Sequence, residues 1–240
     1  MEEMELRSRY DVPTAAAWIL GHARRTGVPA LPHTLRGKTA GACSEAELLE
    51  ILRAGEDAEL KLYPFKADSR ILPRVSRVLG FLRSVSFNTL LDVGSGRGVF
   101  LIPFLKTFPH VQTTSIDLKD TWVTFQRELA DGGGLRLRVA QRDLCSQPWP
   151  DRSFDVVTLL EVLEHIPEVG KAINAAVRMA KKYVVVTVPS KKDNNPEHIH
   201  LLTKDLLTQL FRTAGCSRLH FDGVEGHLFM VAVIEDAENG

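Results

Sequence analysis

The sequence predicts an α/β fold, a doubly wound, seven-stranded, mostly parallel sheet preceded by an N-terminal helical extension. Three observations lead there. From Phe87 onward, short apolar strand patterns alternate with helical ones, the signature of a parallel sheet covered on both faces. One strand, Thr89 to Val93, runs straight into a glycine-rich turn that opens a helix. The last two apolar runs lie close enough in sequence to form a hairpin.

The first part of the chain carries no strand pattern. Thr14 to Arg25 is a short apolar helix, and Ser44-Glu-Ala-Glu47 is a capping box opening a second helix through Arg53. Gly27 to Gly37, rich in Pro and Gly, separates them. A third helix starts near Pro73, with Ile71, Val75, Val78 and Leu82 on one face and Arg70, Arg74 and Arg77 on another, and its apolar face should dock onto the α/β domain that follows. The α/β region then reads as strand Thr89 to Val93, helix Val99 to Phe108, strand Gln112 to Ile116, helix Thr121 to Ala130 and strand Leu135 to Ala140. It continues as strand Phe154 to Leu160, helix Val169 to Ala180, strand Tyr183 to Val188, helix Thr203 to Ala214, strand Ser217 to Phe221 and strand Leu228 to Ile234. The domain division that follows is a helical cap over residues 1–69 and an α/β domain over 70–240.

Composition narrows the function classes. Thirty basic residues balance thirty acidic ones, so no global field draws a polyanion or a membrane surface. Lys61 to Arg83 holds six basic residues and one acid, a local patch that reads first as a solvated helix face. Cys43, Cys145 and Cys216 are far apart and form no Cys-x-x-Cys pair, which argues against a disulfide framework or zinc knuckle and for reduced thiols. The charged N-terminus and the absence of an apolar run near the ~20 residues a span needs lead to the expectation of a cytoplasmic protein with no membrane partner.

Asp92, Gly94, Ser95, Gly96 and Gly98 carry the strongest chemical signal. Glycine bends the backbone sharply and leaves no side chain between chain and ligand. A dinucleotide fingerprint would be Gly-x-Gly-x-x-Gly, but the third glycine comes one residue early and Val99 stands in its place. Asp92 would repel a pyrophosphate and attract a cofactor carrying a sulfonium and an ammonium, which selects S-adenosylmethionine over NAD.

Leu91-Asp-Val-Gly-Ser-Gly-Arg-Gly98 resembles the first motif of the class I S-adenosylmethionine-dependent methyltransferases, and the resemblance extends over about residues 70–234. It implies an antiparallel last strand on the otherwise parallel sheet. Asp117, about twenty residues past the glycines, sits where a carboxylate reaches ribose hydroxyls, with Leu118 beside it; the competing reading is a helix cap. Gln141-Arg-Asp-Leu144 is similar to the family's adenine-binding step, with Asp143 accepting from the adenine amino group and Leu144 offering its amide, against the plainer reading of a strand terminator.

The fourth strand leads into Glu161, Glu164 and His165, which share one helical face if a helix begins at the strand end. Glu161 is thereby also a cofactor-side candidate. The later segment Asp193 to Thr203 places His198 five residues before Thr203, and the two segments together resemble the metal-dependent small-RNA 3′-terminal ribose methyltransferases. That resemblance implies Glu161, Glu164, His165 and His198 as ligands for Mg or Mn, a set of carboxylates and imidazoles better suited to Mn²⁺ or Co²⁺ than to Mg²⁺. The metal-free reading makes His165, His198 and His200 the candidate bases. Tyr63 and Phe65 are pocket or core residues, Trp122 and Trp149 stack on adenine or lie under loops, and Tyr10 and His227 are weaker substrate candidates.

The leading expectation is O-methylation of a small-molecule acceptor, free or bound to a peptide or carrier. The alternatives are a metal-dependent 2′-O-methyltransferase of RNA 3′ ends, which the neutral charge opposes, and an S-adenosylmethionine-binding scaffold without turnover, which the intact motif opposes. The N-terminal helices are also a candidate homodimer or docking element.

Overall fold

The computed structural model describes residues 2–65, 72–146, 149–192 and 194–234. The chain divides into two compact units, one of Met1–Arg70 with Asp120–Val139 and one of Ile71–Lys119 with Ala140–Gly240. The sequence division at residue 70 therefore misses one feature: the helix after the second strand groups with the N-terminal helices.

The first unit holds α1 (Glu2–Arg9), α2 (Val12–Thr26), α3 (His33–Arg36), α4 (Glu45–Asp57) and α7 (Asp120–Gly133). α2 carries Pro13 in its first turn and is capped by Gly27 in the left-handed conformation, φ 80°. α4 opens with the predicted capping box, Ser44 and Glu47 each bonding the other's backbone amide. α2 and α7 cross at glycine. A Cβ on Gly21 would lie 1.9 Å from the Glu128 carbonyl oxygen, and one on Gly132 would lie 1.8 Å from that of Ala17. Only glycine admits this approach of two backbones. Beside the crossing, Trp18, Phe65 and Phe125 form an aromatic cluster with centroids 5.6 to 5.8 Å apart. The buried Glu128 carboxylate accepts from Arg25 at 2.6 Å and faces His22 Nδ1 at 2.9 Å, as a buried charge requires.

In the second unit, α5 (Pro73–Arg83) precedes β1 (Thr89–Val93), α6 (Leu101–Thr107) and β2 (Gln112–Asp117). After β3 (Leu137–Gln141), which straddles the division, come β4 (Phe154–Leu160), α8 (Val169–Met179), β5 (Ala180–Pro189), α9 (Lys204–Thr213), β6 (Arg218–Val224) and β7 (His227–Val233). The sheet order is β3-β2-β1-β4-β5-β7-β6. β1 pairs in parallel with β2 and β4, and β4 with β5, whereas β7 runs antiparallel to both β5 and β6. β2 and β3 are added on one side of β1 and β4 and β5 on the other, so the strand order reverses between β1 and β4 and their carboxyl ends open a crevice at that switch point. β4 is buried from Phe154 to Leu159 because both sheet faces are covered. α5 packs as predicted: Val75, Val78 and Leu82 are buried, and Phe81 meets Tyr183 edge-on at 5.3 Å. Ile71 and Arg70 of its predicted faces lie outside the described residues.

Cys43, Cys145 and Cys216 are free thiols. Among the described residues, no helix is long and apolar enough to cross a membrane.

Candidate active site

Of the predicted cofactor residues, Asp92 to Gly98 and Asp117 to Leu118 lie at the carboxyl ends of β1 and β2, Asp143 and Leu144 follow β3, and Glu161 follows β4. After β1, Gly94, Gly96 and Gly98 take φ of 66°, 53° and 83°, the left-handed region where a side chain is strained. Asp92 is 2% exposed, and its Oδ1 accepts the Thr158 hydroxyl at 2.6 Å. Its Oδ2 is buried with no hydrogen-bond partner. Burial pushes this carboxyl up to about 6, against the opposing hydrogen bonds from Ser95 and Thr158. A buried carboxylate oxygen facing no donor is the feature a cationic cofactor group would satisfy. Ser95 Oγ lies 2.7 Å from Ser115 Oγ, tying the turn to β2.

Asp117 ends β2 with Oδ2 accepting the Gly96 amide at 2.9 Å and Oδ1 accepting the Lys119 amide at 2.9 Å. It thus fixes the glycine turn and caps its own loop, and each oxygen keeps a lone pair for a ligand hydroxyl. Leu118 beside it is 65% exposed, an apolar surface at the strand end. Asp143 accepts from the Cys145 amide and the Ser146 hydroxyl, both at 2.8 Å, in an Asx turn, while the Leu144 side chain is core. The orphan oxygen of Asp92, the amides of the glycine turn and the Asp117 carboxylate form a donor and acceptor set that fits S-adenosylmethionine.

The Glu/His segment folds differently from the helical premise. Glu161 follows β4 with φ 58°, and the next turn is a 3-10 helix, Leu163–His165. Without a continuous helix, Glu161 does not share a face with Glu164 and His165. The ligand atoms of Glu164, His165 and His198 lie within 4.8 Å of one another, and Glu161 stands apart from that group. The loop after β5 brings His198 in, because the Ile199 and His200 amides donate to the Glu164 carbonyl at 3.0 and 3.3 Å. His165 Nδ1 lies 2.9 Å from the Glu197 carbonyl, and His200 Nε2 lies 3.1 Å from that of Ile166. A carbonyl accepts only, so each contact puts the proton on that nitrogen and leaves the other as an acceptor. His198, His200 and Lys191 line a cavity of about 160 Å³ with Ile199 and Leu201.

Glu161 bonds elsewhere. Its Oε1 accepts the Thr187 hydroxyl at 2.8 Å, its Oε2 lies 3.0 Å from His227 Nε2, and Arg74 Nε is 3.9 Å away. Sequence reasoning named His227 only weakly and missed Arg74 and Thr187 as site residues. The β5–β7 register, Pro189 opposite His227, carries this signal and is invisible before the sheet is assembled.

The aromatic candidates resolve individually. Phe65 is core of the first unit, and Trp122 meets Phe125 edge-on there. Tyr10 sits under Arg9 in the same unit, and desolvation, followed by Glu56, raises its phenol. Trp149 lies beneath the Arg142 guanidinium at 4.0 Å and meets Phe154 edge-on. The Tyr63 side chain lies outside the described residues.

Residues 91–186 match the family profile described as methyltransferase domain. A Mycobacterium tuberculosis protein described as a probable S-adenosylmethionine-dependent methyltransferase is 26% identical over 203 residues, covering 78% of this chain and 69% of that protein. The 27-O-demethylrifamycin SV methyltransferase of Amycolatopsis mediterranei is 33% identical over 107 residues, 44% of this chain and 39% of that protein. Among solved structures, an S-adenosylmethionine-dependent methyltransferase from Aquifex aeolicus superposes with TM-score 0.58 at 22% identity, covering 69% of this chain and 92% of that one, a likeness of fold. Sheet order, glycine turn, acidic strand ends and these matches agree: the chain is an S-adenosylmethionine-dependent methyltransferase with a class I fold.

Proposed function

We propose that this methyltransferase acts on an oxygen of a small-molecule acceptor. The observation that supports it is the group of imidazoles just past the carboxyl ends of β4 and β5, with His165 and His200 each held by a backbone carbonyl in a tautomer whose second nitrogen accepts a proton. Bound S-adenosylmethionine supplies an electrophilic methyl group. Asp117 and Asp143 hold its ribose and adenine, and Asp92 faces its charged end. Methyl transfer is an in-line displacement, so the protein's main contribution is alignment, worth up to ~7 to 11 kcal/mol. A hydroxyl acceptor must also lose its proton, and His165, His198 or His200 takes it.

The approach of Glu164, His165 and His198 to within 4.8 Å supports a second reading, in which a divalent ion such as Mn²⁺ or Mg²⁺ lowers the hydroxyl pKa. The carbonyl behind His165 is the outer-shell bond that orients a ligating imidazole. An RNA 3′ end as acceptor fits this reading less well than a small diol, because the chain carries thirty basic and thirty acidic residues.

Isothermal titration of metal-stripped protein with S-adenosylhomocysteine, alone and with Mg²⁺ or Mn²⁺, separates the readings. Binding lost in Asp117→Ala, with no heat from either metal, supports the metal-free enzyme. A heat for Mn²⁺ abolished in His198→Ala supports the metal-assisted one. No binding under any condition overturns both.

A further inference from the structure

Glu161 is held in a way that neither cofactor binding nor the Glu164 group uses. It occupies the left-handed region, φ 58°, at the end of the central strand, where a residue other than glycine is uncommon. Its amide donates to the Thr187 carbonyl at 2.9 Å and its Oε1 accepts the Thr187 hydroxyl at 2.8 Å, so a single residue of β5 fixes both backbone and carboxylate. Oε2 faces His227 Nε2 at 3.0 Å, and Nδ1 of His227 lies 2.9 Å from the Glu225 carbonyl, so, unlike His165 and His200, this ring turns both nitrogens to acceptor oxygens and is held between them. Arg74 Nε, at 3.9 Å, is beyond hydrogen-bond range. An ionised carboxylate offers about four lone-pair positions. Two are used, and the side chain is 22% exposed.

Its place relative to the cofactor turn follows from packing. A Cβ on Gly94 would lie 2.8 Å from Cγ2 of Val162, the residue after Glu161. Glu161 itself stands at the carboxyl end of β4, one residue before that contact, with its carboxylate turned toward β5 and β7.

We propose that Glu161 docks a hydroxyl of the methyl acceptor, and that Thr187 and His227 are positioning residues that aim it. The inference rests on the oxygen-methylation reading above and narrows it to neutral, hydroxyl-bearing acceptors. An ammonium drawn to Glu161 also meets the Arg74 guanidinium 3.9 Å away, and a carboxylate or phosphate drawn to Arg74 also meets the Glu161 charge. A neutral hydroxyl donates to the remaining lone pairs without either conflict.

The test uses the full-length protein and a panel of simple phenols and catechols, each paired with its aromatic amine, with S-adenosylhomocysteine release as the readout. Wild type should turn over hydroxyl members and not the amines. Glu161→Gln should keep S-adenosylhomocysteine affinity within about twofold and raise the acceptor KM about 10- to 100-fold, the range for a hydrogen bond to a charged group. His227→Ala should raise KM similarly. His227→Gln, which returns an N–H donor, should recover most of the loss, a rescue that a purely structural role would not produce. Should Glu161→Gln fail to fold, Thr187→Val takes its place, with the same split of raised KM and retained cofactor affinity. Unchanged KM in these variants, preference for the amines, or turnover of no hydroxyl member despite cofactor binding overturns the inference. Loss of cofactor binding in the wild type overturns the enzyme reading beneath it.

Discussion

Gly96 and Gly94 separate folding from cofactor binding within one turn. Both have positive φ, 53° and 66°, so an alanine at either position costs about 1–2 kcal/mol of backbone strain. Their surroundings differ. A Cβ on Gly96 meets nothing closer than the Gly94 carbonyl at 3.9 Å, whereas one on Gly94 would lie 2.8 Å from the Val162 side chain. Gly96→Ala should therefore lose only the strain energy, a melting shift of about 2–8 °C in a chain of this size. Gly94→Ala adds overpacking of about 1–3 kcal/mol and should melt correspondingly lower. Binding inverts the emphasis for Gly96. Its new methyl projects over the turn where the cofactor is held, so the S-adenosylhomocysteine Kd should rise about 10- to 100-fold, the equivalent of one unaccommodated methyl in a packed contact. Calorimetric melting and isothermal titration on both variants provide the numbers. Wild-type affinity in Gly96→Ala would refute the placement of cofactor over this turn, and equal destabilisation of the two variants would refute the packing argument.

Two further substitutions probe the buried acid and the helix crossing. Asp92, with its carboxyl raised to about 6 by burial, titrates later in the folded chain than in the unfolded one, so folded and unfolded states bind equal protons below about pH 4. Between about pH 4 and 6 the unfolded state ionises first and stability falls with rising pH, by about 3 kcal/mol in total. Cofactor-free Asp92→Asn should match wild type in denaturant melts near pH 4 and exceed it at pH 8, while losing the gain in S-adenosylmethionine affinity that wild type shows between pH 5 and 7; parallel stability curves at both pH values would contradict this. Gly132→Ala places a methyl 1.8 Å from the Ala17 carbonyl, a backbone atom that cannot rotate aside, and should cost about 3 kcal/mol or more. Limited proteolysis of the N-terminal helices checks it, and a wild-type digestion pattern would show that α2 and α7 do not need the glycine contact.

The strands were the most legible part of the fold. β1 and β4 fall on their predicted residues, because a fully buried parallel strand is a short apolar run bounded by turn residues, Asn88 before β1 and Gly94 after it. β5 extends back to Ala180, where Lys181 and Lys182 interrupt the apolar signal although the backbone still pairs. α1 was not legible, since Glu2–Arg9 offers one buried apolar residue, Leu6, and no clear stripe. The grouping of α7 with the N-terminal helices was equally hidden. Its apolar face is plain in sequence, but the partner is fixed by Gly21 and Gly132, whose meaning appears only when two backbones are seen to touch.

Legibility divides the candidate site along the same physical line. The candidate cofactor residues sit at strand-to-loop junctions with local bonds, Asp117 with Lys119 and Asp143 with Cys145, although the Gly96 amide and Asp117 also tie two junctions together. Local backbone geometry favours those residue types, so spacing alone is enough to nominate them. The proposed acceptor half is assembled across the sheet. Glu161 meets Thr187 through the β4–β5 register and His227 through β5–β7, contacts separated by 26 and 66 residues in the chain. The Glu-x-x-Glu-His spacing suggested one helical face, but the left-handed backbone at Glu161 turns its carboxylate toward β5 and β7, while Glu164 and His165 meet the loop carrying His198. One sequence motif thereby serves two polar groups. A substitution at Glu161 should disturb acceptor binding without touching the Glu164, His165 and His198 group, and a substitution at His198 should do the reverse. If Glu161→Gln and His198→Ala instead produced the same defect in Mn²⁺ heat and acceptor KM, the two groups would be one site and the left-handed turn between them would have no functional consequence.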